Sequence, residues 1–167
     1  MNRAYISLGS NINPAENLRR AVVQLGEYGV VERVSRVWET EPVGLNDQPR
    51  FLNAAVLLNT ELDARSLKKQ ALDAVERALG RIRNPGCADA PRPIDVDLVL
   101  FNEDVLKIEH RRIPDPEILD RGYVGIPVAE LDPGYRHPET GDSLAVIAAR
   151  FDPDSIGMRC CVGMSIV

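Results

Sequence analysis

The most informative stretch of the chain reads Pro91-Arg92-Pro93-Ile94-Asp95-Val96-Asp97-Leu98-Val99-Leu100-Phe101. It is rich in branched aliphatic residues, opens with a proline and ends in an aromatic residue, which is typical of a buried strand. Because side chains alternate along a strand, Asp95 and Asp97 should share one face, with their β-carbons about 7 Å apart. The other face should carry the apolar residues Val96, Leu98 and Leu100.

Two neighbouring carboxylates on an apolar strand need a positive partner. Without one they would repel each other, and burial would favour the protonated form of at least one. A hard divalent cation removes this conflict, because carboxylate oxygens are its preferred ligands. Arg92, just before the strand, suggests an anionic ligand as well. The pattern therefore predicts a metal and anion site at Asp95 and Asp97.

The composition indicates one soluble globular domain, residues 1–167. The chain has 44% apolar and 27% charged residues, and its net charge of −5 argues against binding nucleic acid through bulk positive potential. No apolar run approaches the roughly 20 residues that span a bilayer, so we expect no membrane insertion. The cysteines are odd in number and lack C-x-x-C spacing, which favours a reducing cytoplasm over a disulfide framework or zinc site: Cys87, Cys160 and Cys161.

The order of predicted elements favours an α+β fold with a ferredoxin-like βαββαβ core. A strand at residues 4–8 precedes a helix capped by Asn13, and a second helix capped by Asp63 precedes the aspartate strand. This order fits an antiparallel sheet flanked by helices better than a doubly wound sheet. Two further strands are predicted at residues 30–38 and 51–60, and a helical carboxyl-terminal extension at 116–120, 128–131 and 143–150. The tail, residues 151–167, gives no clear prediction.

Three arginines flank the aspartate strand. Arg81 and Arg83 follow the end of the second helix, and Arg92 precedes the strand. Together with Asp95 and Asp97 they could form a polyphosphate site, in which Mg²⁺ bridges phosphate oxygens and guanidinium groups bind the rest. The alternative is a solvated loop whose arginines pair with nearby acids. Neither a P-loop nor a Rossmann glycine motif is present, so a nucleotide would bind in another way.

A polar residue, Asn53, lies inside the apolar strand at residues 51–60. Leaving its amide without a partner would cost about 1–3 kcal/mol, so it needs a heterocyclic ligand or a neighbouring backbone group. Phe51 could belong to the core or form a stacking wall. His110 and His137 lack metal-ligand spacing, and we expect both on the surface.

These segments resemble one family in particular, the 6-hydroxymethyl-7,8-dihydropterin pyrophosphokinases of folate biosynthesis. The resemblance covers about residues 4–150. Its most specific part is P-R-x-I-D-x-D, at residues 91–97. The other matching segments follow in the family's order at residues 4–11, 40–44, 48–55, 76–83, 121–123 and 127–131.

The resemblance implies transfer of pyrophosphate from ATP to the hydroxymethyl group of a reduced pterin, with release of AMP. It implies that Asp95 and Asp97 hold two Mg²⁺ ions and that Arg81 and Arg92 support the transferring group. A loop at residues 84–90 could then close as a lid. By the same resemblance, ATP would contact Glu76, Arg83 and Arg121, and the pterin would contact Gly9, Thr40, Val43, Phe51, Asn53 and Tyr123.

The sequence departs from the family pattern at Ala88, Asp89 and Asp115. These positions motivate a second hypothesis, a non-catalytic pterin-binding paralogue with a degraded nucleotide clamp. In either case the expected partners are ATP and a reduced pterin, and the protein should be a cytoplasmic monomer or weak homodimer.

Overall fold

The computed structural model describes residues 1–44, 47–83 and 85–167, in which helices pack on both faces of an antiparallel sheet. The strands are β1 (Asn2–Ser10), β2 (Val30–Val34), β3 (Trp38–Thr40), β4 (Phe51–Thr60), β5 (Asp95–Phe101), β6 (Leu106–Ile108), β7 (Arg111–Ile113) and β8 (Arg159–Cys160). The helices are α1 (Pro14–Leu25), α2 (Ala64–Ser66), α3 (Asp73–Ala78), α4 (Glu117–Asp120), α5 (Gly122–Leu131) and α6 (Leu144–Ala148), and a π-helical segment, Leu67–Leu72, joins α2 to α3.

The main sheet has the strand order β5-β1-β4-β3-β8, and β2 also pairs with β4. Each of these pairings is antiparallel. Two strands that are far apart in sequence, β4 and β5, therefore lie on either side of β1. A separate hairpin of β6 and β7 follows β5. None of the described helices is long and apolar enough to cross a bilayer.

One face of the sheet packs on α1 and on the helical run from α2 to α3. Ile6 and Leu8 of β1 meet Leu18 and Leu25 of α1 there, all completely buried. Burying each such side chain contributes about 1.5–3 kcal/mol. The second helical run begins as predicted, because the Asp63 side chain accepts a hydrogen bond from the Ser66 backbone N–H at 2.9 Å. At the start of α1, Asn13 holds the cap position but makes no side-chain cap hydrogen bond.

The opposite face packs on α4, α5 and α6. Helix α5 is longer than the predicted segment at residues 128–131, because it begins at Gly122 and contains Pro127. Glycine and proline disfavour helices locally, so packing overrides propensity here. A Cβ at Gly125 would lie 2.7 Å from the Ile118 carbonyl oxygen, so only glycine permits this approach of α4 and α5.

Alternation along β5 holds only as far as Leu98, and the prediction for Leu100 is wrong. The register between β1 and β5 shifts at this point, pairing Tyr5 with Leu100 and Ile6 with Leu98. Val99 is the extra residue of this bulge, and Leu100 packs in the core on the opposite face, with Tyr5. A bulge changes the face of the sheet to which every later side chain of the strand points, and no local sequence pattern predicts it.

Two further predictions need correction, those for residues 30–38 and for His137, and the tail, which had no clear prediction, also forms a strand. The segment at residues 30–38 is not one strand but divides into β2 and β3. The tail contributes β8 to the main sheet. His110 is exposed as predicted, but His137 is buried, with 1% exposure. Its Nδ1 accepts hydrogen bonds from the backbone N–H groups of Glu139 and Thr140 at 3.3 and 3.4 Å, and burial lowers its pKa.

Candidate active site

The strand register places the key polar residues in one row across the sheet. Asp95 of β5 lies opposite Gly9 of β1, and Gly9 lies opposite Asn53 of β4. Asp97 lies opposite Ser7 in the same way. Residues directly opposite each other on paired strands project to the same face. The two acids and Asn53 therefore face the side on which α4 and α5 lie.

A cavity of about 330 Å³ opens over this row. It brings together every residue that the resemblance assigns to the pterin, namely Gly9, Thr40, Val43, Phe51, Asn53 and Tyr123. The same cavity is lined by Asp95, Asp97, Arg92 and Arg121. A polar row on the sheet and two aromatic rings thus enclose one space.

Among the residues that the structure describes, Thr40 is the hydrogen-bond partner of the Asn53 side chain. Asn53 is 6% exposed, and its Nδ2 donates a hydrogen bond to Thr40 Oγ1 at 2.8 Å. The partner is thus a side chain rather than the backbone. Its Oδ1 lies beside Gly9, where a Cβ would approach to 3.2 Å. Phe51 forms part of the cavity wall, with the Arg92 guanidinium carbon 5.8 Å from its ring centroid.

Asp95 is held by two guanidinium groups. Arg81 Nη1 lies 3.0 Å from Asp95 Oδ1, and Arg92 Nη1 lies 3.1 Å from Oδ2. Burial alone would raise the pKa of Asp95, but Arg81 and Arg92 outweigh it and lower that pKa. Asp95 is therefore ionised at neutral pH.

The negative charge of Asp97 is less well balanced by neighbouring positive charge than that of Asp95. Burial and the neighbouring Asp95 raise its pKa to about 7, although Arg111 acts in the opposite direction. Arg111 Nη1 lies 2.8 Å from Asp97 Oδ1, yet this buried oxygen receives no properly oriented hydrogen bond from any described residue. Arg111 also lies 3.4 Å from Asp115 Oδ2, so its charge is shared between two acids.

The two acids fit a divalent cation. The unbonded Oδ1 of Asp97 and the unfavourable charge beside Asp95 are what a cation would correct. Among the described residues, no group of three or more His, Cys, Asp or Glu side chains could hold a metal. Mg²⁺ characteristically binds one or two carboxylates and takes its remaining ligands from water and phosphate.

A second cavity, of about 500 Å³, lies beside the first. Arg81, Arg83 and Glu76 line it, and Arg111 lines both cavities. Arg121, which the resemblance groups with Glu76 and Arg83, lies instead in the first cavity. Positively charged arginine side chains therefore extend from the two acids into the second cavity.

Glu76 is engaged by the protein itself. It is 3% exposed, its Oε2 accepts a hydrogen bond from Arg83 Nη2 at 2.6 Å, and its Oε1 accepts one from the Val96 backbone N–H at 3.0 Å. These contacts place Arg83 at the cavity and fasten the start of β5 to α3.

Arg111 and Glu117 are charged cavity residues that the predicted site did not include. Arg111 lies on β7, and the hairpin that carries it was not predicted; the only signal is the apolar alternation of Leu106 and Ile108 before a turn. Burial, and then the charge of Asp115, raise the pKa of Glu117. Nothing in the sequence near Glu117 indicates its approach to the cavity.

The segment predicted as a lid contacts the loop between β3 and β4. The Asp89 carbonyl oxygen accepts a hydrogen bond from Gln48 Nε2 at 2.9 Å, and the Ala88 carbonyl accepts one from Arg92 Nη2. Asn84, at the start of the segment, lies outside the described residues, as do residues 45 and 46 of the facing loop. Closure of this segment stays a prediction.

Comparison with known proteins gives consistent results. A family model described as 7,8-dihydro-6-hydroxymethylpterin-pyrophosphokinase (HPPK) matches residues 5–133. The chain is 40% identical over 133 residues to the 2-amino-4-hydroxy-6-hydroxymethyldihydropteridine pyrophosphokinase of Bacillus subtilis, covering 78% of each chain. It is 35% identical over 159 residues to the protein of that name from Methylorubrum extorquens, covering 93% of this chain and 98% of the relative.

The fold is also similar to solved structures. A crystal structure of wild-type Plasmodium falciparum HPPK-DHPS with pteroate matches with a TM-score of 0.69 at 14% identity. The match covers 89% of this chain and 42% of that one, so this chain spans less than half of its length. At this identity the likeness shows the arrangement of helices and antiparallel sheet.

Proposed function

Because the chain belongs to the 7,8-dihydro-6-hydroxymethylpterin-pyrophosphokinase family, we propose that the cavity at Asp95 and Asp97 is its active site. The protein is an ATP-dependent pterin pyrophosphokinase that transfers pyrophosphate to 6-hydroxymethyl-7,8-dihydropterin in folate synthesis. The matched relatives named as enzymes favour this function over the non-catalytic paralogue.

One observation carries the assignment. The acids Asp95 and Asp97 share a cavity with the amide of Asn53 and the rings of Phe51 and Tyr123. A planar, polar-edged ring could lie between the aromatic side chains, with its edge at Asn53. Its hydroxymethyl group would then point along the row toward the acids.

In the proposed reaction, the hydroxymethyl oxygen gives up its proton to solvent and bonds to the β-phosphorus of ATP. The bond between that phosphorus and the oxygen shared with the α-phosphorus breaks, and AMP leaves with this oxygen. Such a transfer needs alignment and charge neutralisation more than covalent help from the protein. Arg81 and Arg92 beside Asp95, and Arg83 and Arg111 in the second cavity, would supply positive charge along the phosphates.

We propose that Asp95 and Asp97 hold Mg²⁺, with two ions suggested by the resemblance. Bound Mg²⁺ would neutralise phosphate oxygens and lower the pKa of the attacking alcohol. Arg81 and Arg92 keep Asp95 ionised and oriented for this role. On the pterin side, Asn53 and Thr40 would bind the ring edge, together with backbone groups near Val43 and Gly9. Glu76 would act on ATP through Arg83, and Arg121 would act from the first cavity.

The fold topology, the cellular location and the oligomeric state of the protein are also proposals. The strand order β5-β1-β4-β2 is compatible with a ferredoxin-like core in one domain, followed by a carboxyl-terminal extension richer in helix than in strand. A cytoplasmic location and a monomeric or weakly dimeric state stay predictions from the sequence.

AMP release tests the function directly. The protein should form AMP from ATP only when the reduced pterin and Mg²⁺ are both present. Asp97→Ala should abolish AMP formation and keep the fold, as judged by circular dichroism. Asp142→Ala is the matched control, since Asp142 forms an exposed pair with Arg150 outside both cavities. Activity retained in Asp97→Ala would contradict the site assignment.

A further inference from the structure

The carboxyl-terminal tail, residues 151–167, lies beyond the match to the family model, which ends at residue 133. Its strand β8 extends the main sheet next to β3, with Cys160 opposite Trp38 and Arg159 opposite Glu39. The Cys161 backbone N–H donates a further hydrogen bond to the Val37 carbonyl at 2.8 Å. The tail is therefore built into the sheet beside the strand that carries Thr40.

One ion pair and one hydrogen bond fasten the tail to the cavity wall. Arg159 Nη2 lies 2.6 Å from Glu39 Oε1, and Arg50 Nε lies 3.1 Å from the same oxygen. Arg50 Nη2 also donates a hydrogen bond to the Gly157 carbonyl at 3.0 Å. The Glu39 carboxylate and the Gly157 carbonyl thus fix Glu39 and Arg50, which lie on either side of the loop between β3 and β4.

The two residues held in this way adjoin the substrate-binding positions. Glu39 precedes Thr40, and Arg50 precedes Phe51. Thr40 and Phe51 lie opposite each other across β3 and β4, and both line the first cavity. A displacement of either charged residue would therefore move this end of the cavity.

The tail also supports the facing wall. Met158 is 2% exposed and packs in a small core with Trp38, against which Tyr123 lies. A Cβ at Gly122 would lie 2.3 Å from Ile156 Cδ1, so the tail rests directly on the first turn of α5. That turn carries Tyr123, the aromatic wall opposite the sheet.

We infer that the tail is a positioning element for pterin recognition, because it sets the spacing between the Thr40–Phe51 edge and Tyr123. The inference rests on the proposed function of this cavity. No tail residue lines either of the two cavities among the described residues, so the tail acts through packing. The contacts made by residues 156–159 of the tail are on the pterin side, and the second cavity should be unaffected by their loss.

Two buried tail residues provide a matched comparison in the full chain. Met158 packs beside the pterin cavity, whereas Ile166, 1% exposed, packs in the core on the opposite face of the sheet. Met158→Ala and Ile166→Ala should lower the melting temperature by similar amounts, because each leaves a cavity in a core. Only Met158→Ala should raise the KM for pterin, by about tenfold, with the KM for ATP changed by less than about twofold.

Binding of 6-hydroxymethyl-7,8-dihydropterin is also measured by calorimetry with a non-hydrolysable ATP analogue and Mg²⁺. Equal pterin affinity in the two folded variants would overturn the inference. If Met158→Ala does not fold, Arg159→Gln is compared with Arg150→Gln, since each removes one exposed ion pair. Only Arg159→Gln should raise the KM for pterin, and an unchanged value would overturn the inference equally.

The proposed function has a separate readout. A parent chain that releases no AMP would contradict the proposed function. The calorimetric comparison of the variants uses no turnover, so it tests the tail whether or not the parent is active.

Discussion

Asp97→Asn should make the metal-free protein more stable at pH 8 and abolish its activity. Burial and Asp95 raise the pKa of Asp97 to about 7, compared with the ordinary value of 3.8. A raised folded-state pKa means that the folded protein retains this proton more tightly than the unfolded chain. The free energy of unfolding that this tighter proton binding contributes is fully present below pH 3.8 and is lost as the pH rises to about 7.

The size of the effect follows from the shift. At about 1.4 kcal/mol per pKa unit, a shift of about three units corresponds to a loss of about 4 kcal/mol at pH 8. Asparagine carries no charge and avoids this loss. Arg111 then loses a partner, because its Nη1 lies 2.8 Å from Asp97 in the parent. The gain in the variant should therefore be at most about 4 kcal/mol.

Urea unfolding of parent and variant at pH 5 and pH 8, in EDTA, measures this difference. Asp142→Asn is the control, and its stability relative to the parent should not depend on this titration. Mg²⁺ should stabilise the parent, by about 2.7 kcal/mol at a concentration 100 times the Kd, and should have little effect on Asp97→Asn. If the variant is less stable than the parent at pH 8 in EDTA, the two acids are not an uncompensated pair, and the argument for a cation fails.

Two further substitutions test the pterin side and the support of the nucleotide side. Asn53→Ala removes the hydrogen bond to Thr40 and should raise the KM for pterin while lowering stability by about 1–3 kcal/mol. Asn59→Ala removes a half-buried amide on the same strand that bonds Glu32 and lies outside both cavities, and it should leave that KM unchanged. Equal KM values in the two variants would count against Asn53 as a substrate contact. Glu76→Ala leaves Arg83 without its 2.6 Å partner and should cost about 1.5–3 kcal/mol in chemical unfolding. A smaller loss, together with an unchanged KM for ATP, would show that Glu76 does not position Arg83.

Local patterns were sufficient where the structure depends on near neighbours. Asp63 caps its helix as predicted, because a side-chain oxygen and a backbone N–H three residues away meet within one turn. Asp95 and Asp97 line the same cavity, because the period of two survives over so short a distance. The same rule failed at Leu100, where a bulge introduced by pairing with β1 reversed the strand.

The sequence alone thus determined the kind of site: two acids on one strand, arginines around them and an amide in a neighbouring apolar strand. Only the tertiary structure decided which charges meet. Arg111 reaches Asp97 from a hairpin that was not predicted, and the tail joins the edge of the sheet beside β3. The physical reason is the distance in sequence over which each kind of interaction acts. Periodicity and capping act within a few residues, whereas strand order, bulges and ion pairs depend on segments that only the folded chain brings together.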